Sequence, residues 1–129
     1  MQYLDDEWMV AADKALADGW ASVDEQGDSE TTIGYTVKGA PSGKVTYTVR
    51  FGPDGAGVSA GKPEGDPSAT MELDYDTAAE IAQGESSAQV AFMQGRLKLG
   101  GDVTLLIRGA DQLAAAGDAL GSLRDQTQF

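Results

Sequence analysis

The 129-residue chain contains no cysteine and no histidine. Without cysteine it forms no disulfide and offers no thiol nucleophile, and without either residue the usual zinc sites are excluded. The commonest general acid–base of enzymes is missing as well. Asparagine is also absent, which rules out N-glycosylation. Positive charge is scarce: nine Lys and Arg stand against 21 Asp and Glu, a formal charge of −12. Such a surface repels the phosphates that dominate nucleic-acid affinity, so no nucleic-acid partner is expected. For the same reason at most transient contact with an anionic membrane is expected. No apolar run approaches the ~20 residues that span a bilayer. The opening MQYLDDEWMV is acidic and lacks the basic region of a signal peptide, and the closing DQTQF is not a peroxisomal address. The expectation is a cytoplasmic protein of one domain, 1–129.

What is present is regular. Leu4 and Met9 bracket Asp5 as a hydrophobic staple around a helix N-cap, and Trp8, Ala11, Ala12, Ala15 and Leu16 continue one apolar face until Gly19. Nine of the first thirty residues are acidic and only Lys14 is basic, which reads as a solvated helix face followed by a polar linker, Ser22 to Glu30. Thr31, Ile33, Tyr35 and Val37 then alternate as a strand, as do Val45, Tyr47, Val49 and Phe51. The turn Gly52-Pro53-Asp54-Gly55 leads to a short third strand, Gly57 to Ala60. Met71, Leu73 and Tyr75 alternate as a fourth, and Thr77 with Glu80 forms a capping box for a helix that Gly84 stops.

The stretch from Ser86 to Ile107 is the most informative. Ser86 and Gln89 form a capping box, Ala88, Ala91, Phe92 and Met93 follow at helical spacing, and Gly95 is a left-handed stop. Arg96-Leu97-Lys98-Leu99 alternates charged and apolar, so Leu97 and Leu99 face a core. Gly100-Gly101 reads as a turn and Asp102 as the cap of a last helix, with Val103, Leu106, Ile107, Ala110, Leu113 and Ala114 on one face. Gly109 and Gly117 are weak points in that helix.

Within this stretch AFMQGRLKLGGD resembles the signature of the sterol-carrier-protein family, in its type-two or non-specific lipid-transfer branch. The matching positions are Ala91, Phe92, Gln94, Gly95, Arg96, Leu97, Lys98, Leu99, Gly101 and Asp102. The order of elements on either side resembles that family too, and LDDEW near the start is similar to its stand-alone bacterial members. The resemblance implies an α+β fold: a five-stranded mixed, largely antiparallel sheet with helices packed on one face, enclosing an apolar tunnel.

Other motifs give way to plainer readings. Gly55-Ala56-Gly57-Val58-Ser59-Ala60 formally fits a dinucleotide fingerprint, yet Gly61 and Pro63 prevent the helix it should open. Glu72, Asp74 and Asp76 share one side of the fourth strand without the spacing of a calcium loop, and no metal or other cofactor is expected. Arg96, Lys98 and Arg108 form the compact basic group, suited to guarding a sheet edge or meeting a lipid head.

By the resemblance, the apolar set Val49, Phe51, Met71, Leu73, Phe92, Met93, Leu97, Leu106 and Leu113 becomes a candidate ligand site, with Gln94 as a polar contact at its mouth. The expected function is non-catalytic binding and carriage of a fatty-acyl, sterol-like or other apolar lipid. Two alternatives stay open. One is a small enzyme of isomerase or cyclase type using an Asp or one of Tyr35, Tyr47 and Tyr75. The other is an accessory subunit whose pocket its own side chains fill.

Overall fold

In the computed structural model, which describes residues 2–21, 30–41, 43–63, 65–102, 104 and 110–128, the chain opens with helix α1, Asp6–Trp20. The Asp5 carboxylate accepts the Trp8 N–H at 2.7 Å, satisfying one of the orphan donors of the first turn, where Asp6 and Glu7 also meet the positive end of the helix dipole. The sequence points to a stop at Gly19, but the helix continues to Trp20. Gly19 is there for packing: a Cβ on it would lie 2.6 Å from the Cβ of Ala119, so the bare backbone lets α1 approach the helix near the C-terminus. Most of the polar segment Ser22 to Glu30 lies outside the described residues.

Five strands follow the alternation of the sequence: β1 (Thr31–Ala40), β2 (Gly43–Gly52), β3 (Gly55–Ala60), β4 (Ala69–Asp74) and β5 (Leu97–Gly101). Their order in the sheet is β3-β2-β1-β4-β5. The β1–β2, β2–β3 and β4–β5 pairs are antiparallel and β1–β4 is parallel, so the sheet is mixed and largely antiparallel. Register sets the two faces. Ile33, Tyr35 and Val37 lie opposite Val49, Tyr47 and Val45, with Ala69, Met71 and Leu73 on the other flank and Leu97 beyond. Because side chains alternate, Thr32, Thr36, Thr46, Thr48 and Thr70 fall on the opposite face, where Lys38 and Glu72 pair at 2.7 Å.

The helices cover the apolar face. They are α1, then α2 (Tyr75–Ala82), α3 (Ala88–Met93) and α4 (Ala110–Gly121), followed by a 3-10 turn, Arg124–Gln126. Two caps differ from expectation by a few residues. Asp74, not Thr77, caps α2: its carboxylate accepts the Thr77 N–H at 2.7 Å, so β4 passes directly into the helix and Tyr75 becomes helical. Ser87, not Ser86, caps α3, accepting the Val90 N–H at 3.2 Å. Gly95, at φ 75°, ends α3 as expected, with Arg96 N–H bonded to the Ala91 carbonyl at 2.9 Å. Gly100 and Gly101 belong to β5 instead of a turn. Gly100 sits opposite Thr70, where a Cβ would come within 2.6 Å of the threonine hydroxyl. Asp102 accepts the Thr104 N–H at 3.1 Å, and Val103, Leu106 and Ile107 lie outside the described residues. Gly117 lies inside α4 without breaking it.

Two contacts fix α1 to the sheet. The Trp20 indole, fully buried against Phe51 at 5.2 Å, donates to the Gly52 carbonyl at 2.9 Å. Asp13 accepts the Val58 N–H at 2.8 Å, closing part of the exposed edge of β3. A Cβ on Gly57 would lie 2.6 Å from that carboxylate, which accounts for one glycine of the dinucleotide-like motif by close approach alone. The chain ends also meet, the Tyr3 N–H donating to the Gln128 carbonyl at 2.9 Å.

Candidate functional site

Between the apolar face of the sheet and the helices lies a pocket of about 470 Å³. Its floor is Tyr35, Tyr47, Val49, Phe51, Met71, Leu73 and Leu97, all brought to one side by the strand alternation described above. Trp8 of α1 and Ala78, Ile81 and Ala82 of α2 form the facing wall, with Tyr3 beside them. Ala116 and Leu120 of α4 close it, together with Leu123. Gly84, Ser86, Ser87, Asp118, Arg124 and Thr127 supply its polar margin.

One part of the pocket is aromatic. Tyr35 and Tyr47 stack at 4.9 Å with an interplanar angle of 4°, and Trp8 meets Tyr3 edge-on at 5.0 Å and Tyr47 at 6.2 Å. The Tyr3 hydroxyl donates to the Ala78 carbonyl at 3.3 Å. Burial pushes the Tyr35 phenol up to about 12 and the Tyr47 phenol well above its ordinary value. Burial, followed by the neighbouring Tyr35 and Tyr75, drives Tyr3 upward too. At neutral pH all three are uncharged hydroxyls. Their shifts run away from the range that a proton donor or base at that pH needs. Among the described residues the carboxylate at the pocket is Asp118, which is exposed.

Of the residues singled out by sequence, the structure brings Val49, Phe51, Met71, Leu73 and Leu97 together on the floor. It places Phe92, Met93 and Gln94 elsewhere. Phe92 is 44% and Met93 78% exposed, and Gln94 is the exposed C-cap of α3. The cause is the shortness of α3: six residues turn one side chain, Ala91, fully into the core and leave the following two outside. Leu106 lies outside the described residues, and for Leu113 only its position in α4 is described. Tyr3, Trp8, Ile81, Leu120 and Leu123 line the pocket without having been singled out. Of the three tyrosines named as candidate phenols, Tyr35 and Tyr47 line the pocket in phase with Val49 and Phe51, and Tyr75 is not among its lining residues.

Of the acidic trio, Glu72 and Asp74 of β4 have structural work instead, and Asp76 falls in the first turn of α2. The Lys38 ammonium beside Glu72 holds that carboxyl below its usual value. The Thr77 hydroxyl, then the Thr77 backbone N–H, does the same for Asp74 at the start of α2. In the basic group, Arg96 pairs with Glu80, and Arg108 lies outside the described residues. Among the described residues no helix is long and apolar enough to cross a membrane.

The profile of the SCP-2 sterol transfer family matches residues 12–111. Comparison by sequence with curated proteins gives no match. Among solved structures, the chain is similar to the conserved hypothetical protein TT1886 of Thermus thermophilus, described as possibly a sterol carrier protein. That likeness has 18% identity and a TM-score of 0.72, and covers 95% of this chain and 90% of that one. It is similar to the apo form of sterol carrier protein 2 from Yarrowia lipolytica at 21% identity and a TM-score of 0.54, covering 88% and 82%. It is also similar to palmitated SCP2L2 from Aedes aegypti at 20% identity and a TM-score of 0.61, covering 84% and 93%. At these identities the likeness is one of fold.

Proposed function

The chain belongs to the SCP-2 sterol transfer family, and on that premise we propose that it is a non-catalytic carrier of long-chain acyl, sterol-like or other apolar lipids. The pocket between sheet and helices holds the ligand's apolar body, acting as the tunnel of a single cytoplasmic domain. The observation that carries this reading is the pocket itself. Its volume of about 470 Å³ falls within the ~300–1,000 Å³ of small-molecule sites, and its floor is almost wholly apolar or aromatic. The palmitated Aedes aegypti relative, of the same fold, supports an acyl chain as one guest. Burying each methylene contributes about 0.8 kcal/mol, so a chain of a dozen carbons gains roughly 10 kcal/mol before the costs of association and ordering. No catalytic group is required for that, which suits a chain without His or Cys.

The reading is tested by displacing a fluorescent acyl probe from delipidated protein with a homologous series of chain lengths. Affinity should climb with length, by less than ~0.8 kcal/mol per methylene, and level off when the pocket is full. No saturable binding, or a dependence flat from the shortest member, overturns it.

A further inference from the structure

We propose that the outer face of the sheet, turned away from the helices and the pocket, is a docking surface for an extended acidic segment of another protein. Strand alternation sends Lys38 of β1, Lys44 and Arg50 of β2 and Lys98 of β5 to this face, together with Glu72 and Asp74 of β4. The face thus gathers four of the chain's nine cations and two of its 21 acids, in a molecule of formal charge −12. All four cations are exposed.

These cations are arranged, not scattered. Glu72 stands opposite Lys98 across β4 and β5 and pairs with Lys38 at 2.7 Å. Lys38 and Gly39 lie opposite Lys44, in the irregularity between the pairs Val37–Val45 and Ala40–Gly43. Lys44, Lys38, Glu72 and Lys98 therefore form a row across four adjacent strands, and one carboxylate answers three ammonium groups. Asp74 is committed to the N–H of Thr77 at the start of α2. Among the described residues neither Lys44 nor Lys98 has an ion pair. Guarding an open edge accounts for Lys98, but Lys38, Lys44 and Arg50 stand on strands interior to the sheet.

The rest of the face is small and polar. Thr36, Thr46 and Thr70 flank the row, and the strands send no apolar side chain to this side. At the far end the chain itself crosses the face: the Thr48 hydroxyl donates to the Gly61 carbonyl at 2.9 Å, and Pro63 stands against Gly34. The row is left open. Neighbouring strands lie ~4.8 Å apart, so it spans roughly 14 Å. An extended chain repeats its same-side residues every ~6.8 Å, so alternate Asp or Glu residues cover that span. A second copy laid face to face would set lysine against lysine. A bilayer held here would lie behind the sheet, with the pocket's polar margin on the helical side. Contact through exposed lysines is sensitive to salt and short-lived.

The test is fluorescence anisotropy of a fluorescein-labelled peptide of alternating Glu and Ser, titrated with the whole chain. At about 0.1 M salt the Debye length of ~10 Å screens the acids of the helical side. Saturable binding is expected, weakening severalfold at ~0.5 M salt. Lys44→Glu and Lys98→Glu should each weaken it roughly three- to fivefold, and both together about tenfold. Lys14→Glu on α1 makes the same change in net charge and should alter affinity less than about twofold. If a reversal loses its melting transition, Lys44→Gln with Lys98→Gln carries the test, with a loss of roughly threefold. The peptide should not displace a fluorescent acyl probe from the pocket. Absence of saturable binding, equal losses from Lys14→Glu and Lys44→Glu, or displacement of the acyl probe overturns the proposal. So does tighter capture by phosphatidylserine vesicles than by the peptide, which marks a membrane face. A salt-labile dimer lost in Lys44→Glu marks a second copy as the occupant, and overturns it too.

Discussion

Replacing Gly19 with alanine and, separately, Gly117 with alanine should have opposite effects on stability. Both glycines lie inside helices, α1 and α4, so each substitution gains about 1 kcal/mol of helix propensity. Their surroundings differ. Nothing lies within 4 Å of a Cβ built on Gly117, so Gly117→Ala should stabilise by about that amount. At Gly19 the new methyl would stand 2.6 Å from the Cβ of Ala119, against ~3.5–4.0 Å for carbon atoms at ease. The two helices must then part by about 1 Å, and overpacking of this kind costs about 1–3 kcal/mol. Gly19→Ala is therefore expected to be neutral to ~2 kcal/mol destabilising, and the gap between the variants isolates the packing cost. Urea unfolding with a shared slope measures it, and each kcal/mol should appear as roughly 3–5 °C in a melting curve. Because Ala116 of α4 lines the pocket one turn before Ala119, Gly19→Ala should also speed ligand release. Equal stabilisation by both substitutions would refute the close approach of α1 and α4 at this point.

Trp20→Phe removes a buried indole donor and its bond to the Gly52 carbonyl, so it should cost about 2–3 kcal/mol in urea unfolding. Alkaline pH should destabilise the fold through the pocket phenols. An unfolded tyrosine titrates near 10.0, whereas burial holds Tyr35 up to about 12 and Tyr47 well above its ordinary value. Their contribution is complete below pH 10.0 and is lost as pH rises from there toward the folded value. Melting curves of Tyr35→Phe should fall less steeply over that window than those of the wild type, and identical slopes would contradict the burial of this phenol.

Much of the fold was legible because its signals are local. Period-two alternation marked the first two strands and the fourth, and thereby the face that carries Val49, Phe51, Met71 and Leu73. The Asp5 cap and the Gly95 stop were read from a few neighbouring residues. The misses needed partners far along the chain. Gly19 looks like a helix stop until Ala119 is seen against it, and Gly100 looks like a turn until Thr70 lies opposite. At the start of α2 two good caps, Asp74 and Thr77, stand three residues apart, and the two bond to one another, so their spacing alone could not say which opens the helix. Phe92 and Met93 follow Ala91 at helical spacing, but in a six-residue helix that pattern does not fix which side meets the sheet. Tyr3 enters the pocket through pairing of the two chain ends, for which the sequence carries no local sign.

Methionine methyl spectra test the placement of the ligand most directly. Met71 is 1% exposed on the pocket floor, and Met93 is 78% exposed on α3. In protein carrying ¹³C-methyl methionine, saturation with a long-chain acid should shift the Met71 resonance and leave that of Met93 in place. A ligand that moves Met93 and leaves Met71 untouched lies on the surface of α3, and contradicts the binding of an apolar guest between sheet and helices.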